Sequence, residues 1–240
     1  MALTASLMSS AAMAFEITGG SLVLTERGVD YTRKNWQSYG QTETKGAISY
    51  SFGNGFGGQT GLSIGTFGGE NGYKNLDLHL TYALAANVTL GAFVGNESYD
   101  YQRDFGANNY TLFGAEAAYT QNALSVQTAL VFEHSTNGYQ YSYRSIVLDG
   151  VYELSEKVSV TGGLHFLKDR RYNAAGNTYQ YAYVGAKYAM TSKIDLDIVY
   201  GTLNVVDYHG ERNLSLSLTY KFRSPEIFQS RGFNTLLPGA

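Results

Sequence analysis

Six tyrosines, Tyr50, Tyr82, Tyr119, Tyr152, Tyr188 and Tyr220, recur at intervals of 32 to 37 residues, each just before a tight-turn sequence or the end of the last periodic segment. Their contexts repeat too: Ser-Tyr-Ser-Phe before Gly53, Thr-Tyr-Ala-Leu before Ala85, Val-Tyr-Glu-Leu before Ser155, Lys-Tyr-Ala-Met before Thr191 and Thr-Tyr-Lys-Phe at 219–222. A repeat of this length also suits a helical solenoid, but that needs apolar residues at helical spacing, and here they alternate with period two. The repeat unit is therefore a β-hairpin. A phenol sits well at a membrane–water boundary, ring in lipid and hydroxyl in water, so one tyrosine per hairpin predicts an interfacial girdle, joined by Phe222, at the periplasmic rim of a transmembrane β-barrel.

Composition permits this reading and removes others. A spanning helix needs about 20 consecutive apolar residues, and the best stretch, Ala2 to Phe15, is too short. Mean hydropathy is slightly negative, but in a barrel only every second residue faces lipid, so the average carries no information. With no cysteine there is neither a disulfide framework nor a thiolate metal site. The net charge of −3 is spread along the chain without a basic patch, which argues against nucleic acid as a partner. No cofactor is expected.

Read as strands, the chain gives segments at about 15–27, 40–52, 58–68, 75–84, 88–99, 109–120, 124–134, 140–154, 158–169, 178–189, 194–205 and 212–222. Long polar connections (28–39, 100–108, 170–177, 206–211) alternate with tight ones, as they do in an outer-membrane barrel. The predicted fold class is all-β: a membrane-spanning, up-and-down antiparallel barrel of twelve strands. Both prolines, Pro225 and Pro238, follow the last strand, which suits a closed ladder in which every backbone donor is paired. Gly19-Gly20 interrupts the alternation of the first strand and predicts a bulge there. Single glycines in other strands predict bends or room for a neighbouring bulky side chain.

Residues 1–14 are uncharged, apolar and end in Ala12-Met13-Ala14, the small-x-small pattern of a signal-peptide cleavage site. The basic segment that normally opens such a peptide is missing, so the expectation is a signal peptide truncated at its start and a mature barrel over 15–222. Three groups of residues carry a resemblance: Phe15-Glu16-Ile17-Thr18-Gly19-Gly20-Ser21 after the cleavage site, the Gly/Tyr-rich hairpins, and the ending Arg231-Gly232-Phe233-Asn234-Thr235-Leu236-Leu237-Pro238-Gly239. On these the chain resembles alphaproteobacterial porin-like outer-membrane proteins. The resemblance implies a passive outer-membrane pore with no catalytic residues. Such barrels usually finish on an aromatic strand residue that the barrel-assembly machinery reads; Phe222 fits, yet 223–240 extend beyond it. This C-terminal extension is expected in the periplasm, as a frayed end or, given Phe228, Phe233, Leu236 and Leu237, docked into the lumen or on a periplasmic partner.

With the apolar face in lipid, the inner wall is predicted to carry Glu43, Asp77, Glu97, Glu116, Glu133, Asp149, Glu153, Asp169, Asp195 and Asp197 against Lys45, Lys187 and Lys221, with His79 and His165 among them. Acid-rich rings along a narrow aqueous path favour cations. The function these features suggest is a diffusion channel for small hydrophilic solutes or ions, weakly cation-selective, in contact with outer-membrane lipids and open to oligomerisation. A non-conducting scaffolding barrel tethered by its C-terminal tail is the alternative. Tyr139-Tyr141-Tyr143 and Tyr179-Tyr181-Tyr183 share parity with the inner wall and are candidates for stacking on solutes near the outer mouth, or else are ordinary cross-strand rungs.

A hydrolase reading rests on His134-Ser135-Thr136-Asn137-Gly138, similar to the His-x-Ser-Asn-Gly segment of twelve-stranded outer-membrane phospholipases. Threonine stands at the nucleophile position, and no third residue orients the histidine. Asp207-x-His209-x-Glu211 reads as a solvated loop cluster rather than a metal site. The chain is thus expected not to be an enzyme.

Overall fold

The computed structural model describes residues 16–31, 38–68, 71–101, 106–136, 141–171, 176–206, 209–223 and 227–229. The signal-peptide and chain-end motifs of the sequence reading, including 1–15 and 231–239, lie outside them. Twelve strands form one antiparallel sheet: β1 (Glu16–Tyr31), β2 (Tyr39–Gly53), β3 (Phe56–Phe67), β4 (Asn71–Ala85), β5 (Val88–Tyr101), β6 (Gly106–Gln121), β7 (Leu124–Ser135), β8 (Tyr141–Glu153), β9 (Val158–Arg171), β10 (Thr178–Ala189), β11 (Ile194–Val205) and β12 (His209–Arg223). Each pairs with its sequence neighbours, and β1 closes onto β12 in a register running from Gly20–Phe222 to Tyr31–Glu211. Closure leaves no sheet edge, which is what a lipid-embedded backbone requires.

The tight turns follow from local chemistry. Asn54 (φ 54°) and Gly55 (φ 81°) supply the paired left-handed residues of a two-residue hairpin turn. Two turns with similar sequences, Leu154-Ser155-Glu156-Lys157-Val158 and Met190-Thr191-Ser192-Lys193-Ile194, fold the same way. In the first, the Ser155 hydroxyl oxygen accepts from the N–H groups of Lys157 and Val158 at 3.3 and 3.1 Å; in the second, Thr191 accepts from Lys193 and Ile194 at 3.1 and 3.0 Å. A backbone bond of 2.9 Å, Leu154 N–H to Val158 and Met190 N–H to Ile194, closes each. A small hydroxyl at the head of the turn thus replaces backbone partners the loop cannot provide.

Outward side chains form an apolar belt. Leu24, Leu62, Leu78, Ile146, Leu214 and Leu216 are all about half exposed, and they belong to strands all around the barrel. A continuous apolar band of that extent is not tolerated on a water-soluble monomer, so the surface is a lipid contact and the barrel is transmembrane. Tyr82, Tyr152, Tyr188 and Tyr220 stand outward and exposed at the short-turn end, and Tyr50, Tyr119 and Phe222 occupy the same outward face there, part-buried. No helix among the described residues is long and apolar enough to cross a membrane.

Glycines and aromatics are matched across strands on both faces. Tyr73 lies over its partner Gly65, Phe93 over Gly114, Tyr183 over Gly163, and on the lipid side Phe222 over Gly20 and Tyr50 over Gly58. Each ring uses the space of an absent side chain, the pairing known to shield strand glycines. The bulge expected near Gly19-Gly20 is present, as a register shift between Ile17 and Gly19. A methyl group on Gly20 would come within 2.3 Å of both the Ala47 carbonyl oxygen and the Phe222 ring. Gly20→Ala is therefore expected to lower stability by about 1–3 kcal/mol through forced backbone and ring displacement. Urea titration in lipid vesicles measures this, and an unchanged midpoint contradicts it.

Candidate channel interior

Strand pleating sends every candidate acid and base of the inner wall to the lumen side. The ammonium groups are matched to carboxylates: near the short turns Lys221 with Asp195 at 2.9 Å and Lys187 with Asp197 at 3.5 Å, and farther up the wall, in β2, Lys45 with Glu43 at 2.9 Å. Partial exposure keeps each of these pairs a weak contributor to stability. Glu153 lies at the exposed end of β8.

Two histidines organise the buried acids. His79 bridges Asp77 (Nε2 to Oδ1, 3.0 Å) and Glu116 (Nδ1 to Oε1, 2.5 Å), with all three side chains fully buried. Each ring nitrogen thus faces a carboxylate oxygen at hydrogen-bond distance. The Nδ2 of Asn75 donates to the other oxygen of Asp77 at 3.2 Å. On the opposite wall, His165 Nε2 meets Asp149 Oδ1 at 2.7 Å, and the Tyr183 hydroxyl donates to the same oxygen at 2.8 Å. Higher up, Glu97, Glu133 and Asp169 are buried, and neither Glu133 oxygen has a hydrogen-bond partner among the described residues.

The inner wall is less uniformly polar than alternation predicts. Phe93, Leu112, Val131, Val147, Leu167, Tyr181 and Leu203 point inward and pack into one buried cluster, bordered by Tyr143, Tyr179 and Tyr183. Tyr73, Tyr99 and Tyr110 form a second, with Phe67 and Tyr143 against it. Ring centroids step from Tyr73 to Tyr99 to Tyr110 to Tyr143 at 6.1, 5.9 and 6.1 Å. The candidate stacking tyrosines Tyr143, Tyr179, Tyr181 and Tyr183 therefore face the lumen, packed against one another and their neighbours rather than standing clear. Tyr139 and the Tyr141 side chain lie outside the described residues. The clusters lie toward the outer half of the barrel. Beside them a cavity of about 270 Å³ is lined by Arg27, Glu43, Lys45, His165, Lys187 and Asp197, together with Tyr181 and Tyr183.

Sequence reasoning missed several inner-wall groups. Arg27 donates to Gln41 at 2.6 Å, and Glu211 is buried inside β12. The segment 206–211, expected to be a loop, contains the start of β12 at His209, so Glu211 belongs to a strand; Asp207 lies outside the described residues. Among the described residues no cluster of three or more His, Cys, Asp or Glu is arranged to hold a metal. Of the alternatives for the extension, the described part follows the docked one: Ile227–Gln229 lies against the inner wall, and Phe228 is wholly buried there. The signal for this contact, Gln59 and Gln127 at inward positions, is separated from the tail by far too much sequence for pattern reading to find.

His134 is exposed on the outer face, as parity required, and the Thr136 hydroxyl donates to the Asn109 carbonyl at 3.1 Å.

Neither family models nor curated proteins match this chain. Solved structures do. An outer-membrane channel from Pseudomonas putida F1 aligns with a TM-score of 0.63 and 15% identity over 89% of this chain and 98% of its own. The KdgM porin aligns at 0.56 and 12%, over 83% and 99%. A loop L8 deletion mutant of OmpT, an outer membrane protein of Vibrio cholerae, aligns at 0.54 and 10%, over 85% and 100%. At such identities the likeness is one of fold; joined to the lipid-facing apolar belt, it makes this chain a twelve-stranded β-barrel of the bacterial outer membrane.

Proposed function

We propose that the barrel is a passive outer-membrane channel for small hydrophilic solutes or ions, weakly cation-selective, with no catalytic role. The observation that carries the reading is the inner wall itself: carboxylates outnumber cationic groups there, and a cavity with charged and polar walls runs along it. Fixed acids along a confined path raise the local concentration of cations and repel anions. Three further points support it. Two structural neighbours are described as a channel and a porin, the latter also solved in complex with disordered oligogalacturonate. The chain ends resemble those of alphaproteobacterial porin-like proteins. Twelve strands enclose a narrower bore than the 16–18 of large porins, which restricts passage to small solutes. The packed tyrosines of the outer half are the surface on which a sugar ring would stack once they part. Phe222 is the residue offered to the assembly machinery, and association into trimers, the form of one neighbour, belongs to the same reading.

The apolar cluster across the outer half favours a second reading, a non-conducting structural barrel. Planar-bilayer recording separates the two. Discrete current steps with a zero-current potential on the cation side in a salt gradient are expected. Anion preference overturns the selectivity, and absence of steps from both the full chain and a chain lacking 227–240 establishes the structural barrel instead.

A further inference from the structure

We propose that the inner wall carries a peptide-binding socket whose ligand is the chain's own C-terminal segment, and that Phe228 seated there is a removable stopper near the periplasmic mouth. The role as a stopper rests on the channel reading; the seating does not.

The socket is built from side chains on neighbouring strands. Gln59 lies three residues after the start of β3 and Gln127 three after the start of β7, so both sit about 10 Å above the short turns at a strand's rise per residue. The Gln59 carboxamide reads the backbone of the segment. Its Oε1 accepts from the N–H groups of Ile227 and Phe228, each at 3.2 Å, and its Nε2 donates to the Phe228 carbonyl at 2.5 Å. Gln127 Nε2 donates to the Ile227 carbonyl at 2.8 Å. A primary amide presents a donor and an acceptor side by side, as a peptide unit does, so these two glutamines supply what a partner strand would.

The ring supplies selectivity. Phe228 lies parallel to the His79 imidazole, with centroids 6.2 Å apart and an interplanar angle of 8°, above the Asp77–His79–Glu116 cluster. Two parallel, offset rings at that separation make a favourable aromatic contact. Space for the ring comes from Gly91, where a Cβ would approach Phe228 to 2.8 Å. The ligand class is thus an extended segment with a planar aromatic side chain, bound through its main chain.

Two features make this a seat rather than a part of the wall. The segment adds no strand to the sheet, so leaving it breaks none of the barrel's ladder. The last strand ends at Arg223 in a left-handed conformation (φ 57°), a point of direction change, with its guanidinium on the Ile17 carbonyl. Gln229 lines the 270 Å³ cavity together with Lys187 and Asp197, so withdrawing the segment would enlarge that cavity.

Amide hydrogen exchange on the intact chain in lipid vesicles tests the seating. The N–H groups of Ile227 and Phe228 are expected to exchange at least about tenfold more slowly than an unstructured peptide, and Gln59→Ala with Gln127→Ala to abolish that protection. Unstructured rates in the unaltered protein overturn the seating. Bilayer recording of the same double variant, of Phe228→Ala and of a chain lacking 227–240 tests the stopper. Increased current in all three is expected, and protection with undiminished, unchanged current overturns it. Protection with no current through any of them overturns the channel reading and leaves the seating established.

Discussion

Replacing His79 by leucine is expected to destabilise the barrel by about 3–5 kcal/mol, the cost of removing one partner from a buried ionic group. His79, Asp77 and Glu116 have no exposed side-chain surface. Leucine fills space but offers neither charge nor donor, so two carboxylates would face each other across a dry gap. Neutralising them in the same chain, as Asp77→Asn and Glu116→Gln with His79→Leu, is expected to recover most of the loss, since the penalty lies in the uncompensated charge and not in the missing ring. Urea titration in lipid vesicles reads both results. A single variant that unfolds at the wild-type midpoint would show that the cluster is not held by charge.

The second large effect concerns the outer face. Leu216→Arg should cost about 2–4 kcal/mol in a bilayer, the penalty for a basic residue near the membrane midplane of a barrel. Leu216 is 51% exposed, and at a site so open to water such a change would alter stability by no more than about 0.5 kcal/mol. The two environments thus predict results several-fold apart from one substitution. Leu78, at 48% exposure in the middle of β4, is expected to behave alike. A neutral result at both positions would remove the assignment of this face to lipid.

The strands were legible because two signals coincide: the period-two alternation and the turn residues that interrupt it. On the short-turn side the limits agree closely, since Asn54-Gly55, Asn122, Ser155 and Thr191 stop each strand by their own chemistry. On the long-loop side, β1 continues to Tyr31, β4 begins at Asn71, β6 at Gly106 and β12 at His209, all beyond the limits drawn from sequence. Backbone pairing there, such as Asp30 with Arg212, outlasts the hydrocarbon, so the apolar alternation ends before the strand does.

The interior was only half readable. Parity placed the acids, the lysines and both histidines on the inner face, because each shares its strand with outward leucines and tyrosines. It gave no warning of the apolar packing. Leu112, Val131, Val147, Leu167 and Leu203 also have inward parity, and a strand apolar on both faces loses the contrast on which the reading depends. The tail's apolar residues suggested a docked end, but its seat was beyond reach for another reason. Gln59 and Phe228 are 169 positions apart, and nothing in either local sequence names the other.

The reclining rings have a consequence for calibre. Tyr73, Phe93 and Tyr183 lie flat because the residue beside each is glycine, so the free width of this tube is governed by hydrogen atoms on the adjoining strand as well as by the number of staves. Enlarging Gly65, Gly114 or Gly163 would tip a panel of the lining into a crossbar. Narrower and wider versions of one twelve-stave pipe can therefore arise from single-codon changes at silent-looking positions.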